Sequence, residues 1–178
     1  MHSIFARLNN STSLLSSCLM GLLFAISLTT FLFNEEAHGQ IVPASVKVLD
    51  ARLPRQRYRT QEAVFTQFNV TADLTPLFHW NTKQVFVYLQ AEYNNSKGVQ
   101  NEVVVWDRIV RRKSDAVIRT RAMSKYSIRD LTRSFKKIPG AHFTLKYNIM
   151  PYVGVLTSGD IARTSELVTF PAAQRAVS

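Results

Sequence analysis

Cysteine is almost missing from this chain, with one thiol in 178 residues. A disulfide scaffold or a cysteine-based zinc site needs more than one, so both are excluded. Glycine and proline are scarce, six of each, which excludes collagen-like and low-complexity chains. Charged residues make up 19% against 46% hydrophobic. That is the reverse of the balance that keeps a chain disordered. Acidic side chains are in the minority, 12 against 22 Lys plus Arg, for a net charge of +10. The length suits one ordinary domain with a little to spare. The mean hydropathy of -0.04 is an average over two unlike parts.

From Leu8 to Asn34 there is no charged side chain, and residues 14–33 read LLSSCLMGLLFAISLTTFLF. At about 1.5 Å per residue this run spans about 30 Å, the thickness of a bilayer's hydrocarbon core. Arg7 precedes it and Glu35 and Glu36 follow. The positive side is therefore expected to stay cytosolic, leaving 1–13 as a cytosolic tail and 34–178 outside the cytosol. A cleavable signal peptide is the competing reading. Its apolar region is usually only about 7–15 residues long, and Ala37-His38-Gly39 is the best cleavage candidate here. Both readings send the C-terminal part into the secretory pathway. Cys18 lies within the apolar run as a small filler, so the exported part carries no cysteine.

After Gln40 the apolar residues recur at every second position. Val46 and Val48 open one strand. Phe68, Val70, Ala72 and Leu74 alternate with Asn69, Thr71 and Asp73. Val85, Val87, Leu89, Ala91 and Tyr93 oppose Phe86, Tyr88, Gln90 and Glu92. Val103 to Val110 is a β-branched run, and Phe143, Leu145, Tyr147 and Ile149 alternate with Thr144, Lys146 and Asn148. Period-two patterning predicts half-buried strands, because successive side chains point to opposite faces. Asn94-Asn95-Ser96-Lys97-Gly98 reads as a turn in which Gly98 takes positive φ, and Pro139-Gly140 as a second turn. Thr75 to Trp80 is expected to form one helical turn capped by Thr75, with Pro76 first. A further short helix is expected around Ser127–Ser134, and a frayed tail from Ala172 to Ser178. About seven strands without βαβ alternation predict an all-β fold, an antiparallel β-sandwich behind one N-terminal transmembrane helix.

Signals for chemistry are few. Neither G-x-S-x-G nor H-E-x-x-H occurs, and no glycine-rich phosphate loop is present. His2, His38, His79 and His142 are not spaced i, i+4, so no metal site is expected. Ser96-Lys97 and Ser124-Lys125 are neighbours, but adjacent strand residues face opposite ways and make no dyad. Trp80 and Trp106 read as core residues. Between Arg108 and Lys137, 11 Lys or Arg face only Asp115 and Asp130. That stretch is either a solvated surface or a contact for an acidic protein or lipid headgroups; nucleic acid is disfavoured by the topology and the few aromatics. Asn69-Val70-Thr71 and Asn94-Asn95-Ser96 make Asn69 and Asn94 candidate N-glycosylation sites. Asn9 and Asn10 match the same motif, but on the side where no glycan is added.

Several runs together resemble one family. They are Asn69-Val70-Thr71-Ala72-Asp73-Leu74, Leu77-Phe78, Trp80-Asn81-Thr82-Lys83-Gln84-Val85-Phe86 and Ala91-Glu92-Tyr93, followed by Asn101-Glu102-Val103-Val104-Val105-Trp106-Asp107-Arg108-Ile109-Val110. Lys125-Tyr126 and the last long strand through Pro151 continue the pattern. The chain resembles subunit 3 of the eukaryotic signal peptidase complex over nearly its whole length. Departures are the more basic segment from Asp115 to Gly140 and a missing glycan position at Ala141-His142-Phe143. The resemblance implies a non-catalytic, single-pass type II subunit of the endoplasmic reticulum membrane, without cofactor, metal, nucleic acid or small-molecule substrate. Its partners are then the catalytic serine protease subunit and other subunits, and its lumenal sandwich supports the removal of signal peptides. Trp80, Asn81, Lys83, Gln84, Phe86, Glu92, Tyr93, Trp106 and Asp107 are the candidate contact or family-motif residues. Two other readings stay open from the residues alone: an anchored lumenal hydrolase, and an ectodomain that binds lipid headgroups or secreted ligands.

Overall fold

The computed structural model describes residues 3–32, 36–53 and 56–175. A helix, α1, runs from Ile4 to Thr29. Ser3 caps it, its Oγ accepting from the Ala6 N–H at 3.2 Å, which satisfies one of the first-turn donors. Thr12 and Ser17 return their hydroxyls to carbonyls one turn back, so these polar groups need no outside partner. The helix therefore begins ten residues ahead of the apolar run and takes in Arg7. A 3-10 turn at Thr30–Leu32 extends it. Phe33, the expected end of the span, lies outside the described residues, with Asn34 and Glu35.

The remainder is built of strands: β1 (His38–Leu53), β2 (Gln56–Asp73), β3 (Thr82–Asn94), β4 (Gln100–Val110), β5 (Val117–Met123), β6 (Gly140–Pro151), β7 (Thr157–Arg163), β8 (Val168–Thr169) and β9 (Gln174–Arg175). One sheet has the order β5-β2-β1-β9; the other has β4-β3-β6-β7, with β8 beside β6. Pairing is antiparallel except between β1 and β9. Nine strands replace the expected seven. The tail expected to fray holds β9, and Ala176, Val177 and Ser178 lie outside the described residues.

Alternation seats the core between the sheets. Val64, Phe68, Val70 and Ala72 of β2 face Val85, Val87, Leu89 and Ala91 of β3 and Phe143 and Leu145 of β6, all buried. Each large member contributes about 1.5–3 kcal/mol by leaving water. Phe68 meets Trp106 edge-on, ring centres 6.0 Å apart, across the gap between sheets. Two bulges keep the pattern inward where the sequence breaks step. A register shift between Pro43 and Ser45 lets both Ile41 and Val48 face the core. A second shift, opposite Leu89/Gln90, buries Val105 and Trp106 together.

Three local expectations are corrected. Thr75 lies inside its 3-10 turn (Thr75–Leu77) rather than capping it, and Asp73 Oδ1 accepts from the Thr75 N–H at 2.9 Å. No helix forms at Ser127–Ser134: Ile128 and Val64 exchange backbone hydrogen bonds, both 3.0 Å, which holds the segment extended against β2. The Asp130 carboxylate then accepts from the Thr132 N–H at 2.7 Å, a side-chain turn that competes with a helix. Pro139-Gly140 is not a turn either. Gly140 starts β6 so close to β8 that a Cβ there would meet the Val168 carbonyl, whose carbon lies 2.8 Å away. The Asn94–Gly98 turn forms as expected: Gly98 has φ +79°, and Asn95 Oδ1 accepts from the Lys97 and Val99 N–H groups.

Candidate interaction surfaces

The groups that could have carried chemistry are used to build the fold. Ser124 is buried, and its Oγ accepts from the Thr66 N–H at 3.1 Å. Its neighbour Lys125 points away and donates to the Asp107 carbonyl (2.7 Å) and to Asp107 Oδ1 (3.2 Å). The pair is thus divided between two faces. His79 Nδ1 accepts from the Asn81 N–H at 3.3 Å. Asp130 is buried beneath Tyr93, whose hydroxyl donates to it at 3.3 Å, and Glu62 accepts from the Phe135 N–H. These two carboxylates tie segment 124–138 across the end of the sandwich far from α1. Burial and the neighbouring Asp130 push the Tyr93 phenol well above the usual tyrosine range. Among the described residues, no group of three or more His, Cys, Asp or Glu is placed to hold a metal ion.

Strand parity divides the family-like run. Asn81, Tyr93 and Trp106 are buried. Lys83, Gln84, Phe86, Glu92 and Asp107 lie on or beside the outer face of the five-stranded sheet. Trp80 departs from its expected core role: it sits in the β2–β3 connection with 60% of its surface exposed. The register gives the outer face its layout. Phe86 lies between Ile109 of β4 and Asn148 of β6, and Tyr88 between Asp107 and Lys146. Phe86 and Tyr88 stack with ring centres 5.4 Å apart. Ile109 and Val104 are 46% and 37% exposed. These four make a half-exposed apolar strip, which water solvates poorly.

An ionic cluster borders the strip. Glu92 takes Arg163 Nη2 at 3.0 Å and Lys146 Nζ at 3.8 Å, and Thr144 Oγ1 donates to it at 2.9 Å. Gln90 Nε2 donates to Glu102 Oε2 at 2.6 Å. The charges are therefore fixed in place beside an apolar strip, an arrangement that gives a contact its orientation.

The basic stretch does not form one patch. Arg108 is on β4, Arg111, Arg112 and Lys113 are exposed in the β4–β5 connection, Arg119 and Arg121 project from β5, and the rest follow segment 124–138. Asn69 is exposed on the outer face of the four-stranded sheet, opposite Arg121, and Asn94 is exposed where β3 ends. Sequence reasoning missed the β6–β7 loop, where Tyr152, Val155 and Leu156 are 67%, 59% and 60% exposed. Three large apolar residues within five positions of a loop were the available signal.

A family model described as "Signal peptidase subunit" matches residues 1–173. A Saccharomyces cerevisiae protein called signal peptidase complex subunit 3 is 46% identical over 59% of this chain and 58% of its own length. The chain thus spans under two thirds of that relative. Proteins of the same name are more evenly covered. The one from Dictyostelium discoideum is 34% identical over 93% of both chains. The one from Gallus gallus is 33% identical over 88% of this chain and 87% of its own.

Proposed function

Because the chain belongs to the signal peptidase subunit family, we propose that it is the accessory, non-catalytic subunit of a signal peptidase complex in the endoplasmic reticulum membrane. In this reading residues 14–33 cross the bilayer in type II orientation, 1–13 are cytosolic, and the sandwich (34–178) stands in the lumen. It holds and stabilises a separate serine protease subunit that removes signal peptides. A partner that binds only the folded form of the protease raises its stability by mass action. A common tether also raises the effective concentration of the two lumenal bodies for each other. The carrying observation is the family match across residues 1–173. The strip of Phe86, Tyr88, Val104 and Ile109 is the face we assign to the protein contact, with Gln84, Glu92 and Asp107 at its border. Asn81, Tyr93 and Trp106 act by shaping the fold. Asn69 and Asn94, both exposed, are open to glycan addition in the lumen.

The test is affinity purification from detergent-solubilised membranes with mass spectrometry, comparing the native chain with Phe86→Asp/Ile109→Asp. The expected result is co-purification of a protease and other subunits with the native chain. A loss of at least about tenfold is expected for the variant, since contacts at the centre of an interface cost about 1–2 kcal/mol or more each. Circular dichroism checks that the variant is folded. A folded variant that retains its partners at native levels refutes this face. The absence of any protease from the native purification refutes the function.

A further inference from the structure

We propose that the end of the sandwich nearest α1 is seated in the headgroup layer of the bilayer, with Trp80 and the β6–β7 loop immersed in the interface. The proposal rests on the anchor reading of α1 and adds to it a second membrane contact, made by the folded body.

Three connections meet at that end. Val110, which closes β4, pairs with Val85, and Pro151, which closes β6, pairs with Thr82, so both loops leave beside the start of β3. The Leu74 N–H donates to the Ala116 carbonyl at 3.1 Å, which brings the β2–β3 and β4–β5 connections together. The helix ends among them. Asn81 Nδ2 donates to Thr30 Oγ1 at 3.4 Å and to the Val153 carbonyl at 2.7 Å, while its Oδ1 accepts from the Val153 N–H at 3.1 Å. Gly154, at φ +121°, approaches so closely that a Cβ there would lie 3.2 Å from Ser27 Oγ.

This contact fixes the depth of the body. The 26 residues of α1 measure about 39 Å, longer than the ~30 Å hydrocarbon core. A window ending at Thr29 reaches back about 20 residues and leaves Arg7 in the opposite headgroup layer. A window ending at Phe33 places Thr30 deeper still. In either case Thr30 stands within about one helical turn of the hydrocarbon boundary. Asn81 is hydrogen-bonded to it, and Trp80 is the adjacent residue. A headgroup layer is roughly 5–7 Å thick on each side, so the body cannot stand clear of it.

The chemistry of this end suits that layer. Trp80, Tyr152, Val155 and Leu156 are each more than half exposed. Indole and phenol rings favour the boundary between headgroups and acyl chains, where the ring is dry and its polar atom is wet. Arg111, Arg112 and Lys113 are exposed on the neighbouring connection, and Lys83 is exposed at the start of β3. Asp115 is the acid within these three connections; Asp73 closes β2 beside them and is occupied with Thr75, and Glu36 lies between α1 and β1. The balance favours lipid phosphate, and long cationic side chains can reach it while their stems lie along apolar surface.

The full chain is reconstituted into phosphatidylcholine vesicles that contain lipids brominated on the upper acyl chain. The difference in emission between the native chain and Trp80→Phe isolates Trp80, since Trp106 is common to both. Cys18, the only cysteine, carries a fluorescent label that reports whether α1 is inserted. An aromatic residue at headgroup level should lose at least about half its emission to the brominated lipid and gain protection from aqueous iodide. Lipid quenching of the Cys18 label without quenching of Trp80 overturns the proposal and leaves the anchor standing. Quenching of neither overturns both. In the purified complex, protection of Trp80 from iodide and lipid alike shows that a protein covers it, which also overturns the proposal. The variant Arg111→Glu/Arg112→Glu/Lys113→Glu should raise the access of the neutral quencher acrylamide to Trp80 by about twofold, as the hold of these cations on the lipid phosphates is lost. No change there refutes the phosphate contact.

Discussion

Replacing Thr66 with valine should stabilise the protein, against the usual direction of a core substitution. Thr66 lies on β2 at 1% exposure, and its Oγ1 is buried with no hydrogen-bond partner among the described residues. The backbone is satisfied by Ser124: the Thr66 N–H donates to Ser124 Oγ at 3.1 Å, and the Thr66 carbonyl accepts from the Ser124 N–H at 2.8 Å. Only the hydroxyl has been taken from water without return. Uncompensated burial of a hydroxyl costs about 1–3 kcal/mol in protein mutational data. Valine has nearly the same shape, keeps the branched Cβ that suits a strand, and removes that cost. A gain of about 1–2 kcal/mol is expected, allowing for imperfect fit. For a chain of this size it raises Tm by about 2–8 °C. The assay is thermal unfolding of the full chain in detergent, followed by circular dichroism. Ser124→Ala is the control of opposite sign. It strips the acceptor from a buried N–H and should cost about 1–3 kcal/mol. A Tm for Thr66→Val at or below the native value refutes the assignment of Oγ1 as an unmet group.

Gly140→Ala should lower Tm by several degrees, because the added methyl meets backbone of β8 that has nowhere to move, a clash typically costing about 1–3 kcal/mol; a native Tm by the same assay counts against the close β6–β8 approach. At alkaline pH the buried Tyr93 phenol keeps its proton in the folded state, since burial and Asp130 raise its pKa. The unfolded chain releases that proton at about pH 10. Stability from this group is therefore complete below about pH 10 and is lost as pH rises further. Tyrosinate absorbance and unfolding followed together should show the last phenol ionising with the unfolding transition. A full complement of tyrosinate in a folded chain contradicts the burial.

The long strands were legible because their side chains alternate without interruption: Val85 to Tyr93 and Phe143 to Ile149 sit where period two places them. The start of β1 was not, because the bulge after Pro43 reverses parity and makes Ile41 and Val48 look out of phase. Strand β5 was obscured by its outward residues: Arg119 and Arg121 share their face with the exposed Val117 and Met123, and only Ile118 and Ala122 mark the inward face. The two-residue β8 and β9 are too short for any period. The error at Pro139-Gly140 has a different cause. In a sequence glycine signals backbone freedom, whereas there it marks lack of room. For the surface, the sequence identified the family-like run but not its sidedness. Trp106 and Tyr93 turned inward, Phe86 outward, and Trp80 left the sheet altogether. Which of two equally apolar residues faces solvent is decided by long-range register, and Val104 and Val105 differ only in a bulge opposite a distant strand.

The amide of Asn81 grips the end of the helix and the Val153 backbone at once, so the rod and the sandwich share one bearing. Turning the rod about its long axis would swing the outer face of the larger sheet through the same angle, as a key turns its bit. In the anchored reading proposed above, a neighbour that grasps the helix deep inside the bilayer aims a surface it never touches.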